Sequence, residues 1–376
     1  MKKTTTLFFL FFTTSIFGQS NLFTKVSSLL KKDIIVEANK NLSEKPITVT
    51  SFQSERSAGE IHDFFSEGDY WWPDTAHPNG PYIQKDGLTN PANFTAHRKA
   101  MIRFSKLVAN QTSAYIITKN PNYARQAVKH IKAWFVDTST LMNPSLLYAQ
   151  AIKGKVTGRG IGIIDMIQMI EVAKSIELLE RYRFIKSADS IQIHNWFTKY
   201  LSWVTTHPYG IEEREAKNNH GTCWVMQVSA FAHLVNDTAL LQYCKKRFIQ
   251  VIIPNQMDAK GAFPLELKRT KPYGYSLFNL DAVMTIVHQY NIKDTHLKKS
   301  IDFLFPYVKN KDSWPFQKDV MYWEEWPVAH PFLLFGYQNY QDMNWLNTWE
   351  QLNHFPTNEE VIRNLPIRNP LIWLVD

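Results

Sequence analysis

The chain has 376 residues and a formal net charge of +8, and hydrophobic residues occupy 44% of its positions. Its length allows one large domain or two small ones with a substantial core. Only two cysteines occur, Cys223 and Cys244, which excludes a fold held together by a disulfide framework. The 12 Trp and 16 Tyr residues are abundant. Because these side chains present flat apolar faces with a polar edge, the composition is compatible with a groove for sugar rings.

The first 18 residues have the pattern of a secretory signal peptide. Lys2 and Lys3 precede an apolar stretch at residues 7–12, and the small Gly18 suits cleavage before Gln19. The apolar stretch is too short to span a bilayer, and no later segment is apolar enough, so no membrane insertion is expected. The sequence therefore predicts a periplasmic or secreted protein. Removing the two lysines lowers the formal charge from +8 to +6, which favours a polyanionic partner but equally fits simple solubility.

Helical periodicity dominates the rest of the chain. Apolar residues recur at three- and four-residue steps between Asn93 and Thr118, and Asn120-Pro121 ends the pattern. Similar patterns cover residues 123–135, 163–179, 186–205, 211–235, 238–252, 277–291 and 294–308. We predict an all-α fold of antiparallel helix hairpins, forming one domain over residues 19–376. Because the hairpins share no fixed-period repeat, a closed or incomplete (α/α) toroid is favoured over a solenoid. Two non-helical segments, 68–91 and 312–332, are expected to carry binding residues.

The motif Lys217-Asn218-Asn219-His220-Gly221-Thr222-Cys223-Trp224 places poor helix formers inside a helical pattern. An arbitrary histidine is usually structural, but the neighbouring Asn pair favours a functional role for His220. If the helix continued through the motif, one face would carry four polar and aromatic side chains: Glu213, His220, Trp224 and Gln227.

A second motif lies between Pro264 and Ser276, with Ser276 as a candidate N-cap for the helix that follows. Arg269 can form a planar two-donor pair with a carboxylate. A cation beside Tyr275 is expected to lower the pKa of its phenol. The alternative interpretation is a basic surface loop with a packed tyrosine.

These motifs resemble the alginate lyase type domain of polysaccharide lyase families 5 and 38. The resemblance rests on Asn219-His220-Gly221 with Trp224, on Leu267-Lys268-Arg269, and on Pro272-Tyr273-Gly274-Tyr275. It extends in order along nearly the whole mature chain. The further matching segments are Trp71-Trp72-Pro73-Asp74, Gly80-Pro81-Tyr82, Asp86-Gly87, Asn90-Pro91, Asn143-Pro144, Tyr148-Ala149-Gln150, residues 158–165 and residues 322–327. The resemblance implies an incomplete (α/α) toroid with a substrate groove across one end.

The resemblance also implies residue roles. Asn219 and Arg269 would hold the uronate carboxylate, His220 would be or assist a base, and Tyr275 would protonate the leaving oxygen. Glu213 would orient His220 or Arg269. The candidate substrate contacts are Trp71, Trp72, Gln150, Arg159, Trp224 and Tyr273.

The implied reaction is β-elimination in an acidic polysaccharide, with alginate, and polymannuronate in particular, as the expected substrate and unsaturated oligosaccharides as products. The proton on C5 becomes acidic only when the adjacent carboxylate is neutralised. In mannuronate this proton and the leaving group are on the same side, so Tyr275 can act as both base and acid. In guluronate they are on opposite sides, which requires His220 as the base. The sequence leaves this choice open, along with internal or terminal cleavage and the oligomeric state.

Three alternatives remain at this stage. The first is a lyase acting on another polyuronate, such as glucuronan. The second is a toroidal glycoside hydrolase, although Glu212 with Glu213 and Glu324 with Glu325 lack evident partner carboxylates. The third is a non-catalytic glycan-binding protein. No metal or cofactor is expected, because the histidines and cysteines lack ligand spacing and Gly158–Gly162 lacks a preceding strand. Export and dispersed charge disfavour nucleic acid.

Overall fold

The computed structural model describes residues 10–375, with side chains from residue 22 onward. Residues 1–9 of the predicted signal peptide lie outside this range. The helices are α1 (Leu10–Lys40), α2 (Ala96–Thr118), α3 (Pro121–Phe135), α4 (Met169–Arg181), α5 (Ser187–Thr206), α6 (Pro208–Glu215), α7 (Asn219–Leu234), α8 (Thr238–Arg247), α9 (Ile253–Gln256), α10 (Pro264–Leu267), α11 (Pro272–Tyr290), α12 (Thr295–Lys309), α13 (Pro331–Tyr340), α14 (Met343–Gln351) and α15 (Glu359–Arg363). The strands are β1 (Phe65–Glu67), β2 (Trp71–Trp72), β3 (Ile83–Gln84) and β4 (Tyr148–Ala151).

Local chemistry sets several helix boundaries. The side chain of Asn120 accepts a hydrogen bond from the Asn122 amide, and Pro121 occupies the first helical position of α3. Asp237 caps α8 in the same way through the Leu240 amide, and Asp294 caps α12. These caps satisfy amide donors that have no partner within the helix, and they fix where each hairpin turns.

Five helices form an inner row. α2, α4, α7, α11 and α13 lie side by side in that order, and α3, α5, α8, α12 and α14 pack outside them. The two layers differ in how deeply they are buried. Every residue of the inner helix α11 from Pro272 to Val287 is buried, whereas in the outer helix α8 only Cys244 is buried. This arrangement confirms the predicted all-α incomplete toroid. One hydrophobic core runs through it, from Leu22 to Leu374.

The N-termini of four inner helices meet at one end of the toroid. Arg98 at the start of α2 lies 3.5 Å from Asp165, which precedes α4. Glu266, which precedes α11, binds Asn219 at the start of α7. Because helix N-termini expose amide donors and carry partial positive charge, this end of the toroid favours anions.

Two small sheets border the same end. β1 pairs in parallel with β4, and β2 pairs antiparallel with β3, which places Trp71 opposite Gln84. These strands were not predicted, because two to four residues are too few to show an alternating pattern. Among the helices described, none is long and apolar enough to cross a membrane.

Candidate active site

The helix predicted over 211–235 is two helices. α6 ends at Glu215 and α7 begins at Asn219, so Glu213 and His220 do not share a helical face. Gly221 allows the close turn between them, because a Cβ at this position would lie 2.2 Å from the Ala216 carbonyl oxygen. The Asn and Gly residues that are poor helix formers therefore mark a helix start.

Asn219 is fixed by a buried carboxylate. Its backbone amide donates to Glu266 Oε1 at 2.7 Å, and its side-chain Nδ2 donates to Oε2 at 2.8 Å. Burial raises the pKa of Glu266 to about 6, against the opposing effect of these hydrogen bonds. One amide hydrogen of Asn219 is thus taken by Glu266, which leaves the second for a ligand.

His220 forms a dyad with Glu213. The ring Nδ1 lies 2.8 and 2.9 Å from the two carboxylate oxygens, and Glu213 is 1% exposed. Burial, the largest effect, raises the pKa of Glu213, while His220 opposes it. An ionised Glu213 accepts a hydrogen bond from Nδ1–H of His220, and the tautomer with its proton on Nδ1 has a lone pair on Nε2, which is the form that acts as a base. This contact fits the predicted orienting role of Glu213. The two residues belong to different helices, however, and not to one helical face.

Arg269 is engaged by Asp86 instead of standing free. Its Nη2 donates to Asp86 Oδ1 at 2.8 Å and its Nε to Oδ2 at 3.3 Å, and Thr270 binds the same carboxylate. The two-donor edge expected to hold a substrate carboxylate therefore faces Asp86, and in the part of the chain described no hydrogen bond engages Nη1. The guanidinium lies 4.6 Å from the centre of the Tyr275 ring, a cation–π contact.

Tyr275 is buried and its hydroxyl lies 2.7 Å from that of Tyr70. The expectation of a lowered pKa is wrong for this structure. Burial, the largest effect, raises the pKa of Tyr275 well above its ordinary value, and Tyr70 adds to the rise, although Lys271 and Arg269 oppose it. Without substrate, Tyr275 is therefore a protonated phenol. Ser276 is not the N-cap, because α11 already begins at Pro272.

Three of the proposed substrate contacts, Arg159, Gln150 and Trp71, lie together. Arg159 donates from Nε to the Gln150 carbonyl oxygen at 2.9 Å and from Nη2 to Gln150 Oε1 at 3.0 Å, and it lies 5.8 Å from the Trp71 ring centre. Gln150 itself is buried and donates to Asp165, so it positions Arg159 rather than facing a ligand. Trp71 and Trp72 are partly exposed, which suits stacking against sugar rings.

Two proposed substrate contacts are wrong. Trp224 is fully buried, with its Nε1 directed to the Val204 carbonyl oxygen at 3.3 Å. Tyr273 is equally buried, and its hydroxyl donates to the Tyr307 carbonyl oxygen at 3.1 Å.

The four proposed catalytic residues form one cluster. Arg269 and His220 both act electrostatically on Glu266, which binds Asn219, and Arg269 contacts Tyr275. The negative charge of Glu213 also interacts with Arg159. Four residues of this cluster were not predicted from the sequence: Tyr70, Asp86, Glu266 and Lys271. Lys271 lies two positions after Arg269 in the basic segment of the sequence, but its burial could not be predicted from that segment.

The model of the family named Alginate lyase matches residues 48–314. The chain belongs to the alginate lyase family. A crystal structure of an alginate lyase from Bacteroides ovatus shares 29% sequence identity with it at a TM-score of 0.79, covering 94% of this chain and 97% of the other. A variant of alginate lyase A1-III, the enzyme of Sphingomonas species A1, was solved with a tetrasaccharide and shares the fold at 13% identity and a TM-score of 0.51, over 79% and 80% of the two chains. Comparison with curated proteins gives no match.

As a member of the alginate lyase family, the protein is a polysaccharide lyase, and the hydrolase and non-catalytic alternatives are set aside. The acidic pairs agree with this conclusion. Glu213 is bound to His220, while Glu324 is an 85% exposed side chain paired with Lys311. Within residues 10–375, no group of three or more His, Cys, Asp and Glu side chains is arranged to hold a metal ion.

Proposed function

We propose that this alginate lyase cleaves alginate by β-elimination, using Arg269, Asn219, His220 and Tyr275, with polymannuronate as the preferred block. The observation that carries the proposal is the guanidinium of Arg269 at 4.6 Å from the ring of Tyr275. This contact puts a group that can neutralise a carboxylate directly beside a group that can transfer a proton.

The carboxylate would be neutralised from one side of the groove. Arg269 offers Nη1 and its positive charge, and Asn219 offers its second amide hydrogen, at the positive N-terminus of α7. Donors held in place before substrate binds stabilise the charge that develops on the carboxylate without having to reorient.

Proton transfer would follow one of two routes. On the same-side route, the Tyr275 phenolate takes the C5 proton, the C4–C5 double bond forms, the C4–O4 bond breaks, and Tyr275 returns the proton to O4. On the opposite-side route, Nε2 of His220 takes the C5 proton and the phenol of Tyr275 donates its own to O4. We favour the first route for polymannuronate because two cations, Arg269 and Lys271, lie against Tyr275 and support its ionised form.

A panel of polymers tests the substrate. Polymannuronate, polyguluronate, glucuronan and glycosaminoglycans would be incubated with the purified chain, and unsaturated products would be measured by ultraviolet absorbance and sized. The proposal expects the fastest release from polymannuronate. A faster reaction on glucuronan or a glycosaminoglycan than on either alginate block would overturn it, and a predominance of dimers from the start would show terminal cleavage.

We also propose that residues 1–18 are a cleaved signal peptide and that the mature enzyme is periplasmic or secreted. Support comes from the Lys2-Lys3 start and the apolar stretch that follows it. Amino-terminal sequencing of the exported protein should begin at Gln19; a cytoplasmic product that retains Met1 would contradict the proposal.

A further inference from the structure

A buried lysine lies against the tyrosine pair of the active site. Lys271 is 3% exposed, and its Nζ lies 5.2 Å from the ring centre of Tyr275, 5.1 Å from that of Tyr70 and 5.2 Å from that of Tyr322. Lysine is rarely buried to this extent without a partner, because desolvation of the ammonium group is costly. Three aromatic faces around one ammonium compensate for part of that cost.

Glu360 provides the counter-charge. Its Oε1 lies 2.5 Å from Lys271 Nζ, and it is itself 7% exposed. Burial, the largest effect on Glu360, raises its pKa, but Lys271 and Arg363 outweigh burial and hold the pKa below its ordinary value. For Lys271, burial lowers the pKa, but Glu360 and Tyr275 raise it, and the pKa of Lys271 lies above its ordinary value. Both groups are therefore charged at neutral pH.

The carboxylate is fixed in turn by a second ion pair. Arg363 lies 3.3 Å from Glu360 Oε2 and 2.8 Å from Asp69, the residue before Tyr70. Asp69 also binds Arg98, and its pKa is lowered to about 2 by Arg363 and Arg98 against the opposing effect of burial. Glu360 and Arg363 both belong to α15, which lies beyond the segment matched by the family model. The ion pairs of α15 thus connect this helix to Lys271 and to Asp69, which lie beside the two tyrosines.

We propose that Lys271, held by Glu360, is a positioning residue that keeps a positive charge against the Tyr275 phenol and so stabilises the phenolate required for proton abstraction. This inference rests on the proposed function, because it concerns the reactivity of Tyr275 in β-elimination. Arg269 supplies a second charge at 4.6 Å from the ring centre, but Asp86 offsets it. Loss of the Lys271 charge should therefore leave Tyr275 with weaker support than it has in the wild type.

The part of the pH profile that depends on Tyr275 can be recognised, because the neighbouring carboxyl groups titrate at lower pH. Asp319 accepts the Tyr273 and Gly274 amides in the first turn of α11, and burial raises its pKa to about 6. Glu266 also titrates near 6. The remaining charged groups packed around the tyrosines and Lys271 are Asp69, Asp86, Arg269, Glu360 and Arg363. Tyr70 and Tyr275 both have raised pKa values, so the phenolate limb lies far above the carboxylate limbs.

The first experiment compares Glu360→Gln with Glu359→Gln. Glu359 is the adjacent residue in α15 but is exposed and pairs with Lys99 at the surface, so its substitution should leave the rate unchanged. Glu360→Gln should lower kcat on polymannuronate about tenfold with little change in KM, and should move the limb of the pH profile set by Tyr275 about one unit higher. A purely structural role would lower thermal stability without moving that limb.

A second set of variants keeps the test decisive if Glu360→Gln folds poorly. Lys271→Arg retains the charge and should keep most of the rate, whereas Lys271→Met should reproduce the loss and the shifted limb. In the Tyr275→Phe background, Lys271→Met should cost nothing further, because the charge acts through the phenol. Additive losses in the double variant, or a folded Lys271→Met with the wild-type pH profile, would overturn the inference. A wild-type chain that forms no unsaturated product would instead contradict the proposed function itself.

Discussion

At the phenol of Tyr275, burial and charge act in opposite directions. Burial raises the pKa, and Arg269 and Lys271 lower it without cancelling the rise. The two cations lie 4.6 and 5.2 Å from the ring centre. The ionisation of Tyr275 therefore depends on the balance between burial and these two positive charges.

The change Tyr275→Phe removes the hydroxyl and keeps the ring. We expect kcat to fall by roughly 10² or more, the size of a lost acid–base contribution, with the fold intact. Tyr273→Phe is the matched control: it lies in the same turn, is fully buried, and donates its hydroxyl to a backbone carbonyl. Its rate should stay near that of the wild type. If a folded Tyr275→Phe kept more than about a tenth of the rate, Tyr275 would not be the acid.

The change His220→Ala distinguishes the two routes of proton transfer. If His220 is the base only for opposite-side elimination, its loss should nearly abolish cleavage of polyguluronate, by roughly 10² or more, and leave partial cleavage of polymannuronate. Glu213→Gln should act in the same direction but more weakly, because it removes the ionised partner of Nδ1 and not the ring. Initial rates on the two block polymers give the measurement. Equal losses on both blocks would assign His220 a role common to both routes.

The proposed catalytic residues could be named from the sequence, whereas their partners could not. Asn219, His220, Arg269 and Tyr275 lie in short motifs with unusual composition. Their partners are distant in sequence: Asp86 lies 183 residues from Arg269, and Tyr70 lies 205 residues from Tyr275. Periodicity and motif spacing carry no information about such pairs. For the same reason the pKa of Tyr275 was predicted in the wrong direction, because burial depends on the complete fold.

At the scale of secondary structure, the site depends on how α7 begins. The break between α6 and α7 puts Glu266 of α10 against the first amides of α7, where a helix end would otherwise lack partners. Most of the helices were predictable from apolar periodicity, but this break was not predicted, although residues 212–222 contain Ala216 as their only apolar residue and the Asn and Gly residues there mark the start of α7. Tertiary contact with Glu266 takes the place of the helical hydrogen bonds that the break removes.

The change Glu266→Gln tests this junction through pH. The pKa of Glu266 is about 6 in the folded chain against 4.5 ordinarily. The folded state therefore binds this proton more tightly, so the stability linked to it is fully present below pH 4.5 and is lost as pH rises through 6. Relative to Glu266→Gln, the wild type should lose about 2 kcal/mol of unfolding free energy between these limits.

Urea unfolding of both proteins at several pH values gives the comparison. Glu360→Gln cannot serve as a control here, but Glu359→Gln can, because Glu359 is exposed. The Glu359→Gln difference should be flat across the same pH interval. A stability difference for Glu266→Gln that is also independent of pH would show that Glu266 titrates normally and that its burial does not raise the pKa.

At the scale of the whole molecule, the toroid gathers helix N-termini at one end and closes that end with loops and short strands. The helix hairpins predicted the all-α class, whereas the incomplete toroid was implied by the family resemblance, because periodicity alone cannot distinguish a toroid from a solenoid. The role of the C-terminal segment was not predictable, because α15 is five residues long and its charged side chains act only after the chain has folded back onto the site. Arg363 and Glu360 connect it to the loop that carries Tyr70.

The catalytic scheme assigns carboxylate neutralisation to protein groups, so no added metal should be needed. Extensive chelation should leave the rate on alginate nearly unchanged, since Arg269 and Asn219 provide the positive charge and the donor. The measurement is the initial rate before and after chelator treatment, with thermal unfolding as the check on folding. Loss of activity that one specific cation restores, without a change in folding, would contradict this assignment.

β-Elimination can be tested by counting two products of the same reaction. Residues 19–376 would be purified and incubated with polymannuronate, and new reducing ends and unsaturated uronates would be quantified in parallel. β-Elimination creates one unsaturated non-reducing end for each new reducing end, so we expect equal amounts throughout the reaction. New reducing ends without unsaturated products would show hydrolysis and would rule out β-elimination.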